Sequence, residues 1–158
     1  ARNLLLVVAA SSAAACGFHL QGALMLPAEM GRTYIETSDR HSQFYRELRA
    51  QLRSAGVDLV DAAADASAVF SISYDETDQR VLSVSARNVP TEYEVYYSIE
   101  YSLDAGAKSL LERQTLTLTR DYIYDSTLVL GKAREEELLR EAVVKDLVRI
   151  VLKQISTL

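Results

Sequence analysis

The chain has 158 residues, a formal charge of −5, two histidines and one cysteine. A single cysteine excludes an internal disulfide, and two histidines leave no cluster at zinc spacing. The mildly acidic balance gives no bulk attraction to nucleic acid, and the chain holds no nucleophile elbow, Walker loop or dinucleotide fingerprint, so no catalytic residue, metal or cofactor is assigned.

The first fifteen residues read as a targeting segment. Arg2 supplies a positive charge, LLLVVAA (residues 4 to 10) an apolar core, and SSAAA small residues for a peptidase. This run is too short to span a bilayer, which takes about 20 apolar residues. Ala13, Ala14, Ala15 and Cys16 resemble a lipobox, with Ala13 where leucine is commoner, so Cys16 is expected to be acylated and to become the new N-terminus. A covalent lipid on Cys16 also removes a lone thiol from an oxidising compartment. Gly17 follows in place of Asp, which resembles lipoproteins sorted to the outer membrane of a Gram-negative cell. The expected organisation is a signal peptide over 1–15, a lipidated N-terminus and linker over 16–32, and one domain over 33–158. The remaining 143 or so residues suit a single core.

In chain order, TYIET reads as a short strand of β-branched and aromatic residues. SDRHSQFYRELRAQLRSAG then predicts a helix capped by Ser38 or Asp39, with Phe44, Leu48, Leu52 and Ala55 on its buried side and a stop at Gly56. Arg46, Arg49 and Arg53 fall mostly on the opposite, solvated side. From residue 69 to 124 the period becomes two, with Phe70, Ile72, Tyr74, Leu82, Val84 and Ala86 expected on one face and DETDQR between them as a polar strand extension or a loose turn. EYEVYYSIEYSL is the cleanest strand: Tyr93, Val95, Tyr97, Ile99, Tyr101 and Leu103 face one way, and Glu92, Glu94, Ser98, Glu100 and Ser102 the other. DAGAK turns the chain into LLERQTLTLTRDYIY, and the short turns predict an antiparallel meander. A last helix is expected from about residue 133 to 155, with acids in its first turn and Leu139, Val143, Leu147, Ile150 and Val151 as its buried stripe. The order β-α-β-β-β-α predicts an α+β fold, two helices packed on one face of a mostly antiparallel four-stranded sheet.

CGFHLQG, the helix ending in LRSAGV, ARNVPTEYEVYYSIEYSL and TRDYIYDSTLVLGKAREEELLREAVVKDLVRIVLKQI together resemble the LptE family of lipopolysaccharide-assembly lipoproteins. The resemblance implies a partner and not a reaction. It implies a lipid-anchored protein on the periplasmic side of the outer membrane, one copy resident in the lumen of an LptD-type β-barrel and binding lipopolysaccharide during its insertion into the outer leaflet. The Glu, Ser and Tyr96 face of the central strand and the row Thr115, Thr117, Thr119 fit a polar lumen. In this family a basic residue after the second long strand and another before the last helix are associated with lipopolysaccharide. Arg87 and Lys132 occupy those places, both expected in irregular connections, with Asn88 and Pro90 shaping the loop around Arg87. An Arg fork or a Lys point charge suits lipid A phosphates and core carboxylates. The different class to set beside this is a structural envelope lipoprotein that binds another assembly machine or the cell wall without touching glycolipid.

Overall fold

The computed structural model describes residues 25–124 and 129–158, with side chains for 25–124 and 133–158. Its elements are β1 (Arg32–Thr37), α1 (Gln43–Ser54), β2 (Asp58–Leu59), β3 (Ala68–Val84), β4 (Pro90–Ala105), β5 (Lys108–Ile123) and α2 (Val129–Ile155). Residues 1–15 and Cys16 lie outside the described residues.

The fold is α+β, with one mixed sheet in the order β2-β1-β3-β4-β5. It has five strands, not the four expected. The extra one, β2, is two residues long, too short for any alternation to reveal it. Strand β1 runs parallel to both β2 and β3, because α1 carries the chain over the sheet between them, while β3, β4 and β5 form the antiparallel meander. The β4–β5 turn is tight, with Ala105 opposite Lys108 and Gly106 at a φ of 58°, a left-handed conformation that glycine adopts without steric cost.

Both helices lie on the same face. Phe44, Leu48 and Leu52 of α1 and Val143, Leu147, Val151 and Ile155 of α2 share one buried cluster with Phe70, Ile72, Tyr97, Ile99, Tyr101 and Leu103 of the sheet. The buried stripe of α2 takes Val143, Leu147 and Val151 as expected and adds Val144, Val148 and Leu152, because this helix packs against α1 as well as against the sheet, whereas Leu139 and Ile150 are only half-buried. Packing begins ahead of β1, where Met30 is fully buried.

Two helix boundaries differ from expectation. Ser42, not Ser38 or Asp39, caps α1, its Oγ accepting from Tyr45 N at 3.0 Å. Asp39 is engaged one turn earlier, where its Oδ1 accepts from His41 N at 2.7 Å. The helix ends as expected, at Gly56 with φ 84°, and Ala55 is therefore an exposed C-cap and not a core residue. Helix α2 starts at Val129, about a turn before the expected residue 133. The helix runs through Gly131, and one glycine costs a helix only about 1 kcal/mol.

The largest departure is in β3. Its first part alternates as expected, with Phe70 and Ile72 buried, but the pairing steps from Ile72↔Tyr101 to Tyr74↔Glu100 and leaves Ser73 as a β-bulge. An extra residue in a strand of period two sends every later side chain to the opposite face. Tyr74 is 45% exposed on the open face, and Asp75, Thr77 and Gln79 turn toward the helices opposite Ile99, Tyr97 and Val95. DETDQR is thus continuous strand. Leu82, at the first of two further register shifts, and Val84, beyond both, are 44% and 52% exposed in place of the buried face expected for them, and Ala86, expected with them, is exposed in the β3–β4 turn.

Leu147→Ala should lower stability by about 2–5 kcal/mol, since it empties a fully buried site. Glu100→Ala removes only half-exposed contacts with Ser73 and Arg113, and should cost less than about 1 kcal/mol. Thermal unfolding of the two variants checks which side of the sheet is the core.

Candidate functional site

The three long strands outrun the apolar core. Past the Ser73 bulge, polar contacts hold helices and sheet together. The Asp75 carboxylate accepts from Ser42 Oγ at 2.5 Å and from the Tyr97 hydroxyl at 2.6 Å, and that hydroxyl accepts from Phe44 N at 3.2 Å. Burial, and next the neighbouring Asp75 carboxylate, push the Tyr97 hydroxyl well above the usual phenol range. Further along, Arg140 of α2 donates to Thr77 Oγ1 at 2.8 Å and pairs with Glu136 at 2.8 Å, while Tyr122 donates to Gln79 Oε1 at 2.8 Å. Tyr93 stacks on Tyr122, with ring centres 5.7 Å apart, and meets Tyr124 edge-on at 5.2 Å.

At the end of this polar stretch the chain makes two features that point outward. One is an open groove of about 470 Å³ lined by Leu82, Glu92, Asp121, Tyr122, Ile123, Glu135 and Leu139. The other is the β3–β4 turn. Asn88 N donates to Ser85 O at 2.9 Å and Ser85 N to Val89 O at 2.8 Å, closing a short loop in which Asn88 takes a φ of 58°. Asparagine tolerates this left-handed conformation better than other side-chain-bearing residues. Pro90 follows as the first residue of β4, a position where its missing N–H costs the ladder little. Between these constraints Arg87 stands exposed at the turn, with exposed Val84 and Val89 on either side, and forms no ion pair with any described residue.

Residue 132 falls within α2, in its first turn, and not in the irregular connection expected for Lys132. The earlier helix start is the reason. Its side chain lies outside the described residues, so the structure gives no contact between Lys132 and Arg87. Both belong to the same end of the molecule: going back along α2, Gln154 meets Tyr101 and Gln114, Arg140 meets Thr77, and Glu135 and Leu139 share the groove with Leu82 and Glu92.

The sheet face away from the helices is mainly polar, with Tyr74 and Ile123 exposed among its charged and hydroxyl side chains. Arg80 pairs with Glu94 at 2.5 Å, a largely ionic contact, and lies over the Tyr96 ring at 5.9 Å. Ser98 and Thr117 share a hydrogen bond at 2.8 Å, and Glu100 holds Ser73 Oγ at 2.6 Å and Arg113 at 3.5 Å. Neither helix covers this face.

The family model for LptE, described as lipopolysaccharide-assembly, matches residues 30–155. The chain belongs to the LptE family. It is 24% identical over 158 residues to the LPS-assembly lipoprotein LptE of Pectobacterium atrosepticum, covering 99% of this chain and 85% of that one. It is 26% identical over 157 residues to the LPS-assembly lipoprotein LptE of Yersinia pestis, covering 98% and 75% respectively. Among solved structures, lipoprotein B from Nitrosomonas europaea superposes with a TM-score of 0.73 at 30% identity, over 89% of this chain and 90% of that one. The rare lipoprotein B from Shewanella oneidensis gives 0.69 at 27% identity, over 80% and 94%. LptE is a family of lipoproteins named for assembly and not for a reaction. Among the described residues, no group of three or more His, Cys, Asp and Glu could hold a metal ion, and no helix is long and apolar enough to cross a membrane.

The polar row of Asp75, Thr77 and Gln79 and the groove-lining residues escaped the sequence reading. A bulge inside an unbroken strand leaves no mark in the sequence beyond the polarity of DETDQR. The groove is assembled from four segments distant along the chain.

Tyr122 offers a test of the polar stretch. Burial, then the nearby Glu136 carboxylate, raise its hydroxyl from 10.0 to about 12. The folded state therefore holds this proton longer than the unfolded state, and the stabilisation is complete below pH 10 and lost as pH rises to about 12. Tyr122→Phe should unfold at a temperature that falls less steeply across this window than in the parent chain, as followed by circular dichroism.

Proposed function

We propose that this protein is an outer-membrane lipoprotein, anchored through acylated Cys16 after removal of residues 1–15, whose domain over 33–158 plugs an LptD-type β-barrel one-to-one and binds lipopolysaccharide during its insertion into the outer leaflet. Membership of the LptE family and the lipopolysaccharide-assembly names of its relatives support the assembly role. The observation that carries the glycolipid part is Arg87. A guanidinium without a described partner, at a hairpin turn closed by backbone hydrogen bonds and flanked by exposed Val84 and Val89, offers a charge-assisted fork for phosphate beside apolar surface for acyl chains. Lys132, in the first turn of α2, adds a cation at the same end, with Asn88 and Pro90 supporting the loop. The uncovered polar sheet face supports residence in a water-filled lumen lined by polar groups.

Replacing both Arg87 and Lys132 with Asp tests the glycolipid site. Lipopolysaccharide binding should fall strongly while fold and barrel association persist, and the residual affinity should respond less to salt because fewer screened ion pairs remain. Binding isotherms across ionic strength, paired with a barrel pull-down from the same preparation, measure both. Unchanged glycolipid binding would remove the two residues from the site, and loss of the barrel alone would reassign them to the protein interface.

Cys16→Ser tests the anchor separately. The variant should lack the acyl mass by mass spectrometry and lose its hold on membranes, because the several chains of a bacterial lipoprotein anchor where one chain binds only marginally. Its domain should remain folded. Acylation persisting in this variant would place the lipid elsewhere.

A further inference from the structure

One flank of α1 carries a basic cleft. Tyr45, Arg49 and Arg53 recur every four residues as a single ridge of the helix, and Tyr34 of β1, Arg40 of the β1–α1 loop and Asp61, two residues past β2, close the cleft around them. Arg40 donates to the Tyr34 hydroxyl at 3.4 Å, whereas Arg49 and Arg53 are exposed and form no hydrogen bond or ion pair with any described residue. Three guanidiniums against one carboxylate leave an excess of two positive charges, in a chain whose net charge is −5. Like charges four residues apart destabilise a helix. The helix C-terminus suits Arg53, which stands in the last turn, but gives no reason for a second arginine at position 49. Nor can the rest of the sequence neutralise the pair: residues 1–24 contain no Asp or Glu, and 125–132 contain only Asp125, next to Tyr124, whose N–H bonds Thr91 by the far hairpin. The missing carboxylate has to come from another molecule.

We propose that this cleft docks an acidic segment of the barrel wall, one aspartate or glutamate side chain entering between Arg49 and Arg53. Size and surroundings carry the choice of occupant. At about 30 Å³ the cleft admits one small oxygen-bearing group and no sugar ring or acyl chain. Paired guanidiniums match a carboxylate through charge-assisted hydrogen bonds, and Tyr34 and Tyr45 line the same cleft with hydroxyls to add. The apolar surface that accompanies Arg87 is missing here. Ile35 is buried and Leu59 and Val60 are half-buried, so nothing beside the arginines receives a lipid chain. The inference rests on the plug reading and extends it, giving the domain a wall contact on its helix side in addition to the open face of its sheet.

The test uses the full chain in detergent, with a hexaglutamate peptide as the acidic probe and co-purification of an LptD-type barrel as the second readout. Arg49→Glu should weaken peptide binding about tenfold and lower barrel recovery, while lipopolysaccharide binding stays at the parent level. Arg49→Lys, which keeps the charge and loses the fork, should fall between the two. Lys108→Glu makes the same change of charge at an exposed residue outside the cleft and should bind the peptide as the parent does. Thermal unfolding separates docking from a structural role. Arg49→Glu sets an acid four residues before Arg53, the favourable order on a helix, so the variant should unfold at the same or a higher temperature even as its binding falls. Peptide binding unaffected by Arg49→Glu, or equal barrel recovery from both chains, would overturn the proposal. Loss of lipopolysaccharide binding in that variant would also overturn it and assign the cleft to the glycolipid. A parent chain that brings down no barrel, yet binds the peptide through Arg49, would overturn the plug reading and uphold the carboxylate chemistry of the cleft.

Discussion

The Ser73 bulge is the constraint on which the rest of the structure depends. A regular β3 would carry the apolar face of Phe70 and Ile72 straight on to Tyr74, and would place Asp75, Thr77 and Gln79 in solvent. One extra residue exchanges the two sets. The sheet is thereby divided along its length, with a dry half where α1 and the C-terminal part of α2 bury aliphatic side chains and a half where the N-terminal part of α2 is held by hydroxyls, an amide and a guanidinium. Unsatisfied groups under a helix are expensive, so this arrangement persists only because its polar atoms are matched: Asp75 with Ser42 and Tyr97, Thr77 with Arg140, Gln79 with Tyr122. Replacing one member would leave the other orphaned. That gives the polar half a specificity of register that aliphatic packing lacks.

The same network ties the start of α1 to the middle of the sheet. Ser42 does two things with one oxygen, capping the helix through Tyr45 N and donating to Asp75, while Tyr97 accepts from Phe44 N in the first turn. The N-terminal groups of a helix need partners, and Phe44 N finds its own on a strand, at Tyr97, 53 residues away in sequence. Helix α1 is thus fixed at both ends, by Asp75 and Tyr97 at its start and by the left-handed Gly56 at its finish. The far hairpin has no helix of its own. It extends as ladder from a firmly clamped base.

How much of this was legible in the sequence follows from the range of the interactions involved. The core stripes of α1 and β4 were readable because each repeats within its own element, at helical and at alternating spacing. Phe44, Leu48, Leu52, Val95, Tyr97, Ile99, Tyr101 and Leu103 are all buried. The phase of β3 beyond Ser73 was not readable, since a bulge is a statement about the partner strand. Strand β2 was invisible because its two residues pair only after β1 and α1 have brought them alongside. Arg87 and Asn88 were readable as a turn, from SARNVP, and the structure adds the left-handed φ at Asn88. The groove was beyond reach. Leu82, Glu92, Tyr122 and Leu139 come from four elements and become neighbours only in the folded chain.

A cation on a loop is worth more to a ligand when the loop is already shaped, because ordering entropy is then settled before binding. The turn that presents Arg87 is closed by two backbone hydrogen bonds and stands on a ladder whose strands run some sixteen residues each. Its clamp, the row from Asp75 to Gln79, lies between this turn and the core. The mixed sheet therefore separates two demands that conflict in a small domain. Stability is concentrated where Met30, Leu48, Phe70 and Leu147 exclude water. Chemistry is displayed at the opposite end, where charge and apolar surface can both remain exposed without entering the core, and the bulge is what permits one continuous strand to serve both.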